Sequence, residues 1–402
     1  MDDLKFVMVG HVDHGKSTLI GRLLYETGSL PEGKLEEVKQ ACEQLGREIE
    51  YAYILDSLRE EREQGITIDT AQIFFKTKRR NYVIIDAPGH VEFVKNMMTG
   101  ASQAEAAVLI VDAQDGVKEQ TRRHAYILGM LGIGQVIVAV NKVDLIGYDE
   151  KRFNEVVKEL EAFLAEIGVK AKEYIPISAK AGDNILKKSE NMGWYRGPTF
   201  QEALDALECA KKSVEKALRY PVQDVYVMEG KRIFAGRVES GRIREGEEVT
   251  VLPEPRKTKI KSIDVWEKKK KEAEAGESIG VTTEDKLFIE RGNVLCAGKL
   301  PKVADRFDAK VFWMSKAPMQ KGERLAVRVA TQERECTLDV KKRVNSSTLE
   351  ELEPGPLQNN EVAEVEIKAE GPVVFESFNE TPELGRFVLV RGNDIVAGGI
   401  IT

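Results

Sequence analysis

The sequence predicts an α/β domain built around a phosphate-binding loop, followed by two small all-β barrels. Two observations carry this prediction. The first half alternates short apolar runs with helical patterns, and its first apolar run leads into the glycine-rich segment Gly10–Ser17. From Pro221 onward the pattern changes to short alternating strands separated by glycine turns. We therefore predict domains at residues 1–212, 213–304 and 305–402.

Composition is that of an ordinary globular protein, with 42% apolar residues among 402. The net charge of −7 gives no general electrostatic reason to expect a nucleic-acid binder, although it leaves a local basic face open. No apolar run reaches membrane-spanning length and no signal peptide precedes the first strand, so we expect a cytoplasmic protein without a membrane partner. Four widely spaced cysteines fit a reducing compartment and indicate neither a zinc site nor a disulfide framework: Cys42, Cys209, Cys296 and Cys336.

The segment GHVDHGKS at residues 10–17 fits the phosphate-binding pattern G-x4-G-K-[ST]. A glycine-rich strand-to-helix turn points several backbone N–H groups inward, and the following helix adds its positive dipole end. We expect Lys16 to reach the β- and γ-phosphates and Ser17 to bind Mg²⁺. We expect the two loop histidines to stabilise the turn rather than to act chemically. The predicted phosphate-site residues are Gly10, His11, Val12, Asp13, His14, Gly15, Lys16, Ser17 and Thr18.

Two later motifs are placed to sense a γ-phosphate. EREQGITID at residues 61–69 contains Thr67 between two isoleucines, and a β-branched strand ends in DAPGH at residues 86–90. Asp86, at the carboxyl end of that strand, is suited to hold Mg²⁺, and the N–H of Gly89 can approach the γ-phosphate. Thr67 would complete the metal shell in the triphosphate state, so loss of the γ-phosphate would release two loops. This order of motifs indicates a switch GTPase.

Two motifs after the next strands, NKVD and SAK, identify the base. A carboxylate such as Asp144 can accept two N–H donors from the N1 and exocyclic amine edge of guanine, whereas adenine offers no such pair. We expect Asn141 to bond the base, Lys142 to pack over it, and the N–H of Ala179 to meet the guanine carbonyl. The predicted cofactors are therefore GTP and Mg²⁺, with base contacts from Asn141, Lys142, Asp144, Ser178, Ala179 and Lys180.

The motifs GHVDHGKST, EREQGITID, DAPGHVEFVKNMMTGAS, NKVD and SAK resemble those of the translation-factor class of GTPases, which includes elongation factor Tu and elongation factor 1-alpha. The resemblance covers the whole chain, because PVQDVYVMEGKRIFAGRVESGRIREGEEV is similar to the second domain of those factors. It implies an α/β P-loop GTPase domain followed by two small all-β barrel domains.

The resemblance also implies a catalytic arrangement. His90, directly after D-x-P-G, would orient the attacking water behind an apolar shield matching Val12 and Ile66. A histidine is a weak base near neutral pH, so positioning is expected rather than full proton abstraction. The alternative is that His90 only caps the helix beginning near Val91. The expected catalytic residues are His90, Lys16, Thr67 and Gly89.

Within this class, the third domain favours a sulfate-activating protein. AKVFWMSKAPMQKGERLAVRVATQE and the ending LVRGNDIVAGGIIT resemble the GTPase (large) subunit of bacterial sulfate adenylyltransferase. This resemblance implies that GTP hydrolysis drives formation of adenosine 5'-phosphosulfate from ATP and sulfate on a partner small subunit, since no second nucleotide motif is visible. Two alternatives stay open: a translation factor that delivers aminoacyl-tRNA or rescues ribosomes, and a non-catalytic switch whose hydrolysis needs an activator.

Overall fold

The computed structural model describes residues 3–30, 33, 36, 51, 72–86, 104–209, 213–228, 230–265, 268–353 and 355–402. The chain divides into two compact units, residues 1–209 with 346–348, and residues 210–345 with 349–402. Three predicted site residues lie outside the described residues: Thr67, Gly89 and His90. The spacing of apolar residues between Leu30 and Glu61 predicts an inserted helical segment, and most of that stretch also lies outside the described residues.

The first unit contains a six-stranded sheet with helices, and its strand order is β2-β3-β1-β4-β5-β6. Strand β2 is antiparallel to β3, and the other neighbours are parallel. β4 and β5 are buried along their whole length, as parallel strands covered on both faces must be. The elements are β1 (Leu4–Gly10), α1 (Lys16–Glu26), β2 (Gln72–Lys76), β3 (Asn81–Asp86), β4 (Ala106–Asp112), α2 (Glu119–Met130), β5 (Val136–Asn141), α3 (Glu150–Glu166), β6 (Ala171–Pro176) and α4 (Phe200–Asp205).

Strand β1 lies between β3 and β4, so the chain extends the sheet on one side of β1 and then on the other. In open α/β sheets, such a reversal opens a crevice at the carboxyl ends of the strands. The phosphate-binding loop leaves β1 at this point, and Asp86, Asp112 and Asn141 end the strands β3, β4 and β5. The topology therefore brings the predicted motifs to one edge of the sheet.

The second unit begins with a closed ring of six strands, in the order β10-β15-β7-β8-β14-β11, which the pairing of β10 with β11 completes. Alternating apolar side chains fill its interior, among them Tyr220, Phe234 and Ile263. The strands of this part of the chain are β7 (Leu218–Met228), β8 (Lys231–Arg237), β9 (Arg242–Arg244), β10 (Glu248–Leu252), β11 (Arg256–Val265), β12 (Lys268–Lys270), β13 (Glu272–Glu274), β14 (Ser278–Thr283) and β15 (Val294–Ala297). Outside the ring, β12 pairs with β11, and β9 pairs with β13 in a separate two-stranded sheet.

A second six-stranded ring follows, in the order β17-β21-β22-β16-β20-β18, and the pairing of β17 with β18 completes it. Trp313 is fully buried in its core. The predicted order of an α/β domain and two β barrels is thus confirmed. The elements are β16 (Lys302–Trp313), β17 (Leu325–Val329), β18 (Gln332–Asn345), β19 (Glu351–Leu352), β20 (Glu361–Phe375), α5 (Pro382–Gly385), β21 (Arg386–Arg391) and β22 (Asp394–Ile401).

A buried ion pair joins the two barrels inside the second unit. Arg219 of β7 donates from Nε to Glu376 Oε2 at 3.1 Å and from Nη2 to Oε1 at 2.5 Å. The Arg219 guanidinium also donates to the backbone oxygens of Leu218 and Lys299. An apolar cluster shared by both barrels consists of Leu252, Val294, Cys296, Val374 and Leu384. The predicted limits of the individual domains remain predictions, and β16 already begins at Lys302.

Candidate functional site

The loop between β1 and α1 has the shape of an anion cradle. Gly15 adopts φ 89°, in the left-handed region, and a Cβ there would lie 2.3 Å from Asn141 Nδ2, so only glycine fits. Helix α1 begins at Lys16 with neither a side-chain cap nor an acidic residue in its first turn. Its first N–H groups therefore remain available for an anion at the positive end of the helix.

Lys16 and Asp86 form an ion pair beside this cradle. Lys16 Nζ lies 3.0 Å from Asp86 Oδ1, and Asp86 is only 1% exposed. A buried carboxylate suits Mg²⁺, which prefers oxygen ligands, so Asp86 fits the predicted metal role. Ser17 follows Lys16 at the start of α1, and its hydroxyl makes no hydrogen bond within the described ranges. Ser17 is thus available as a second oxygen ligand.

Asn141 connects the phosphate-binding loop to the SAK segment. Its Nδ2 donates to His14 O at 2.8 Å, its Oδ1 accepts the Ala179 N–H at 2.9 Å, and the residue is 2% exposed. The sequence predicted that Asn141 and Ala179 contact the base, and those contacts remain predictions. It missed the connecting role, which depends on two chain segments that are far apart in sequence.

Lys142 is held by the neighbouring strand end. It adopts φ 62°, and its Nζ lies 2.8 Å from Asp112 Oδ2. Burial raises the pKa of Asp112, but the hydrogen bonds from Lys142 and from the backbone N–H groups of Asp115 and Gln114 outweigh it, so the pKa is lowered overall. The charged Asp112 therefore fixes the Lys142 side chain. The only signal in the sequence was an aspartate at the end of the preceding strand.

Asp144 is the predicted reader of guanine, and its carboxylate is available for that role. It lies half-buried in the short 3₁₀ helix Val143–Ile146. Among the described residues, none forms a hydrogen bond or ion pair with this carboxylate. Both oxygens can therefore accept N–H groups from a base.

The SAK segment folds into a tight turn after β6. Ser178 is fully buried, its Oγ accepts the Ala181 N–H at 3.1 Å, and its carbonyl accepts the Gly182 N–H at 2.8 Å. The side chain of Lys180 is exposed. The turn thus presents backbone groups at the carboxyl end of β6.

The two loop histidines pack against each other. The rings of His11 and His14 lie 5.1 Å apart, edge to face. His14 is 1% exposed, and its Nδ1 accepts the Asp112 N–H at 3.3 Å. Burial lowers the pKa of His14, which keeps the ring neutral. Val12 and Asp13 are exposed at the tip of the loop.

Comparisons with known proteins give the family. The family model described as elongation factor Tu GTP binding domain matches residues 2–216, more than half of the chain. The chain belongs to the elongation factor Tu and elongation factor 1-alpha family of GTPases. Elongation factor Tu domain 2 matches residues 232–296, and the GTP-eEF1A C-terminal domain-like model matches residues 306–402. GTP binding and GTPase activity are the shared properties of this family.

Relatives named elongation factor 1-alpha match this family member over nearly its whole length. The protein of Thermoplasma acidophilum is 41% identical over 412 residues, covering 98% of this chain and 96% of the relative. The protein of Saccharolobus solfataricus is 41% identical and that of Aeropyrum pernix 42% identical, each covering 99% of this chain and 96% of the relative. These findings support the translation-factor alternative and give no support to the sulfate-activating subunit that the third domain had favoured.

A solved structure described as sup35 complexed with GMPPNP matches at 24% identity and a TM-score of 0.45, covering 100% of this chain and 94% of that chain. Within the described ranges of the present protein, no helix is long and apolar enough to cross a membrane. The predicted γ-phosphate sensors and the predicted water-orienting residue remain predictions, since they lie outside those ranges: Thr67, Gly89 and His90.

Proposed function

We propose that this protein is a cytoplasmic translation elongation factor that carries aminoacyl-tRNA in its GTP-bound state and releases it after hydrolysis. The observation that carries this proposal is the similarity to elongation factor 1-alpha, 41% identity over 98% of the chain, which includes both β barrels. Similarity of the GTPase domain alone would identify only a GTP-dependent switch. The similarity also covers both β barrels, the domains on which such a switch acts.

The proposed nucleotide chemistry follows from the residues at the carboxyl ends of the parallel strands. Lys16 and the first N–H groups of α1 bind the phosphates, and Asp144 accepts the N–H groups of guanine. Ser17, Asp86 and Thr67 would hold Mg²⁺, which neutralises charge on the β- and γ-phosphates when it is bound. Once a cation balances Asp86, the ammonium of Lys16 becomes available to phosphate oxygens. His90 would orient the attacking water.

The β7–β8 hairpin of the first barrel supports binding of a tRNA end. Tyr226, Val227 and Met228 are 51%, 72% and 60% exposed, and Phe288 is 83% exposed. Single exposed apolar side chains are common, but four of this size in one small barrel indicate a contact surface. Aromatic faces stack on unpaired bases, which is how single-stranded RNA ends are recognised.

Positive charge lies directly beside this surface. Lys231 and Arg232 are the strand partners of Met228 and Val227, and the Arg232 guanidinium lies 5.6 Å from the centre of the Phe288 ring. Cations next to aromatic faces suit a backbone phosphate next to a stacked base. A local basic and aromatic hairpin is therefore compatible with the net charge of −7.

The proposal is tested by filter binding of charged tRNA. We expect retention with a non-hydrolysable GTP analogue and loss with GDP, and no comparable retention of uncharged tRNA. Replacing Phe288 by Ser should weaken tRNA retention several-fold and leave GDP affinity unchanged, while Leu300→Ala, a matched exposed apolar change at a residue 45% exposed, should do neither. Equal retention with both nucleotides would overturn the proposal, as would GTP-dependent formation of adenosine 5'-phosphosulfate with a transferase subunit.

A further inference from the structure

Arg22 on helix α1 holds the turn that contains the SAK segment. Its Nη1 donates to Lys180 O at 3.1 Å and its Nη2 to Ala181 O at 3.4 Å. One guanidinium thus binds two consecutive carbonyls of a turn 158 and 159 residues away in sequence. A planar fork of N–H donors can do this without moving either peptide.

The turn has space for this guanidinium only because residue 182 is a glycine. Gly182 adopts φ 90°, and a Cβ there would lie 2.1 Å from Arg22 Nη2 and 2.7 Å from Arg22 Cζ. Any other residue would be strained by the backbone angle and would displace the guanidinium. The turn and the arginine are therefore matched to each other.

Two further contacts hold the same guanidinium. Arg22 Nε donates to Glu26 Oε1 one helical turn along α1. The guanidinium carbon lies 4.7 Å from the centre of the Tyr51 ring, within range of a cation–π interaction. The Arg22 side chain is only 15% exposed. These contacts, all made by the protein itself, set the position of the guanidinium.

Ala179 carries one attachment of this turn, and the two residues that follow it carry the other. Its N–H is directed to Asn141 Oδ1 at 2.9 Å, and the carbonyls of the two following residues are bound by Arg22. A backbone N–H can recognise a base carbonyl only if its peptide plane is fixed, because hydrogen bonds weaken steeply with misalignment.

We propose that Arg22 is a positioning residue for guanine recognition, which it supports by holding the turn 178–182 so that the Ala179 N–H, which donates to Asn141 Oδ1, can be shared with the carbonyl of the base. This inference rests on the proposed contact between Ala179 and guanine. In this role Arg22 acts through the turn and not through a contact of its own with the nucleotide. Its effect should therefore be confined to nucleotides that carry the 6-carbonyl.

Three nucleoside diphosphates separate this role from general support of the domain. GDP and IDP both carry the 6-carbonyl, whereas 2-aminopurine riboside 5'-diphosphate lacks it. We expect Arg22→Met to weaken GDP and IDP binding by roughly three- to tenfold, the range for one lost hydrogen bond. The 2-aminopurine nucleotide should bind as it does to the unaltered protein. Affinities are measured by calorimetry on the full chain.

Arg122→Met is the matched control. Arg122 also pairs with a carboxylate, Glu159 at 2.9 Å, and its guanidinium lies 5.2 Å from the ring centre of Phe163. The Arg122→Met protein thus loses the same kinds of contact as the Arg22→Met protein, except the hydrogen bonds to the carbonyls of the turn 178–182. All three nucleotides should bind the Arg122→Met protein with unchanged affinity.

Arg22→Lys provides the second variant if Arg22→Met does not fold. It keeps the charge beside Glu26 but replaces the planar fork by a point donor, so a smaller loss confined to GDP and IDP is expected. An equal loss for all three nucleotides, or no loss for any, would overturn the inference. If the unaltered protein binds the 2-aminopurine nucleotide as tightly as GDP, the contact at Ala179 is itself wrong. tRNA retention would then still test the proposed function separately.

Discussion

The ammonium of Lys16 lies 3.0 Å from the carboxylate of Asp86, at the point where the structure would receive the phosphates of a nucleotide. Two groups that are predicted to bind different parts of the ligand therefore form an ion pair with each other here. A cation that binds Asp86 and a phosphate that binds Lys16 must replace this ion pair together, since either alone would leave a poorly hydrated charge. Phosphate and metal binding should accordingly be coupled.

Asp86→Asn tests this coupling. With Mg²⁺ present, we expect GDP to bind about tenfold or more weakly, because the metal loses a charged ligand. In EDTA we expect no loss, because the variant has no carboxylate at this position to compete with the phosphates for Lys16. GDP dissociation rates with Mg²⁺ and with EDTA measure both effects. Glu155→Gln, which neutralises a carboxylate 53% exposed on α3, is the control and should change neither rate. An equal loss under both conditions would contradict the coupling.

Asp144→Asn should change the preferred base. The carboxylate of Asp144 would accept two N–H groups of guanine, and an amide can accept only from one and donates toward the other. Hydrogen bonds to a charged group contribute about 1.5–3 kcal/mol each, so we expect GDP affinity to fall about 100-fold. Xanthosine diphosphate, with a carbonyl in place of the exocyclic amine, should bind the variant better than it binds the unaltered protein. Competition binding measures the ratio, and an unchanged preference for GDP would remove Asp144 from the base site.

Glu376→Gln should destabilise the barrel pair. The side chains of Arg219 and Glu376 are 3% and 7% exposed, so removing one charge leaves the other buried without its partner, at a cost of about 3–5 kcal/mol. Urea unfolding at pH 7 measures the change. Glu335→Gln, which breaks an exposed pair with Arg324, is the matched control and should have no measurable effect. Similar stability of both variants would show that the buried pair contributes nothing net.

The same pair predicts a dependence on pH. Burial alone would raise the pKa of Glu376, but its hydrogen bonds from Arg219 and Thr381 and the nearby positive charge outweigh this and lower the pKa below the ordinary 4.5. The stabilisation is therefore fully present above pH 4.5 and is lost as the pH falls through the lower, folded-state pKa. Glu376→Gln should unfold with less dependence on pH below 4.5 than the unaltered protein.

Much of the fold could be predicted from local pattern. The strand-loop-helix signal around Gly15 and the short apolar runs ending in Asp86 and Asn141 each depend on neighbouring residues, and the period change near Pro221 separates α/β from all-β structure. The subfamily was predicted less well, because the third-domain resemblance pointed to sulfate activation while whole-chain similarity supports elongation factor 1-alpha.

The sequence by itself determined the class of ligand, a guanine nucleotide, and its residue types and their order predict a phosphate cradle, a metal-binding carboxylate and a guanine-reading aspartate. Only the tertiary structure decided which protein groups hold these residues in place: Asp86 for Lys16, Asp112 for Lys142, and Asn141 between His14 and Ala179. The physical reason is that a motif is local along the chain, whereas its supports come from neighbouring strands of a parallel sheet whose order is not visible in the sequence. Arg22, which lies in no predicted motif, reaches the turn 178–182 only because the fold brings α1 next to the loop that follows β6.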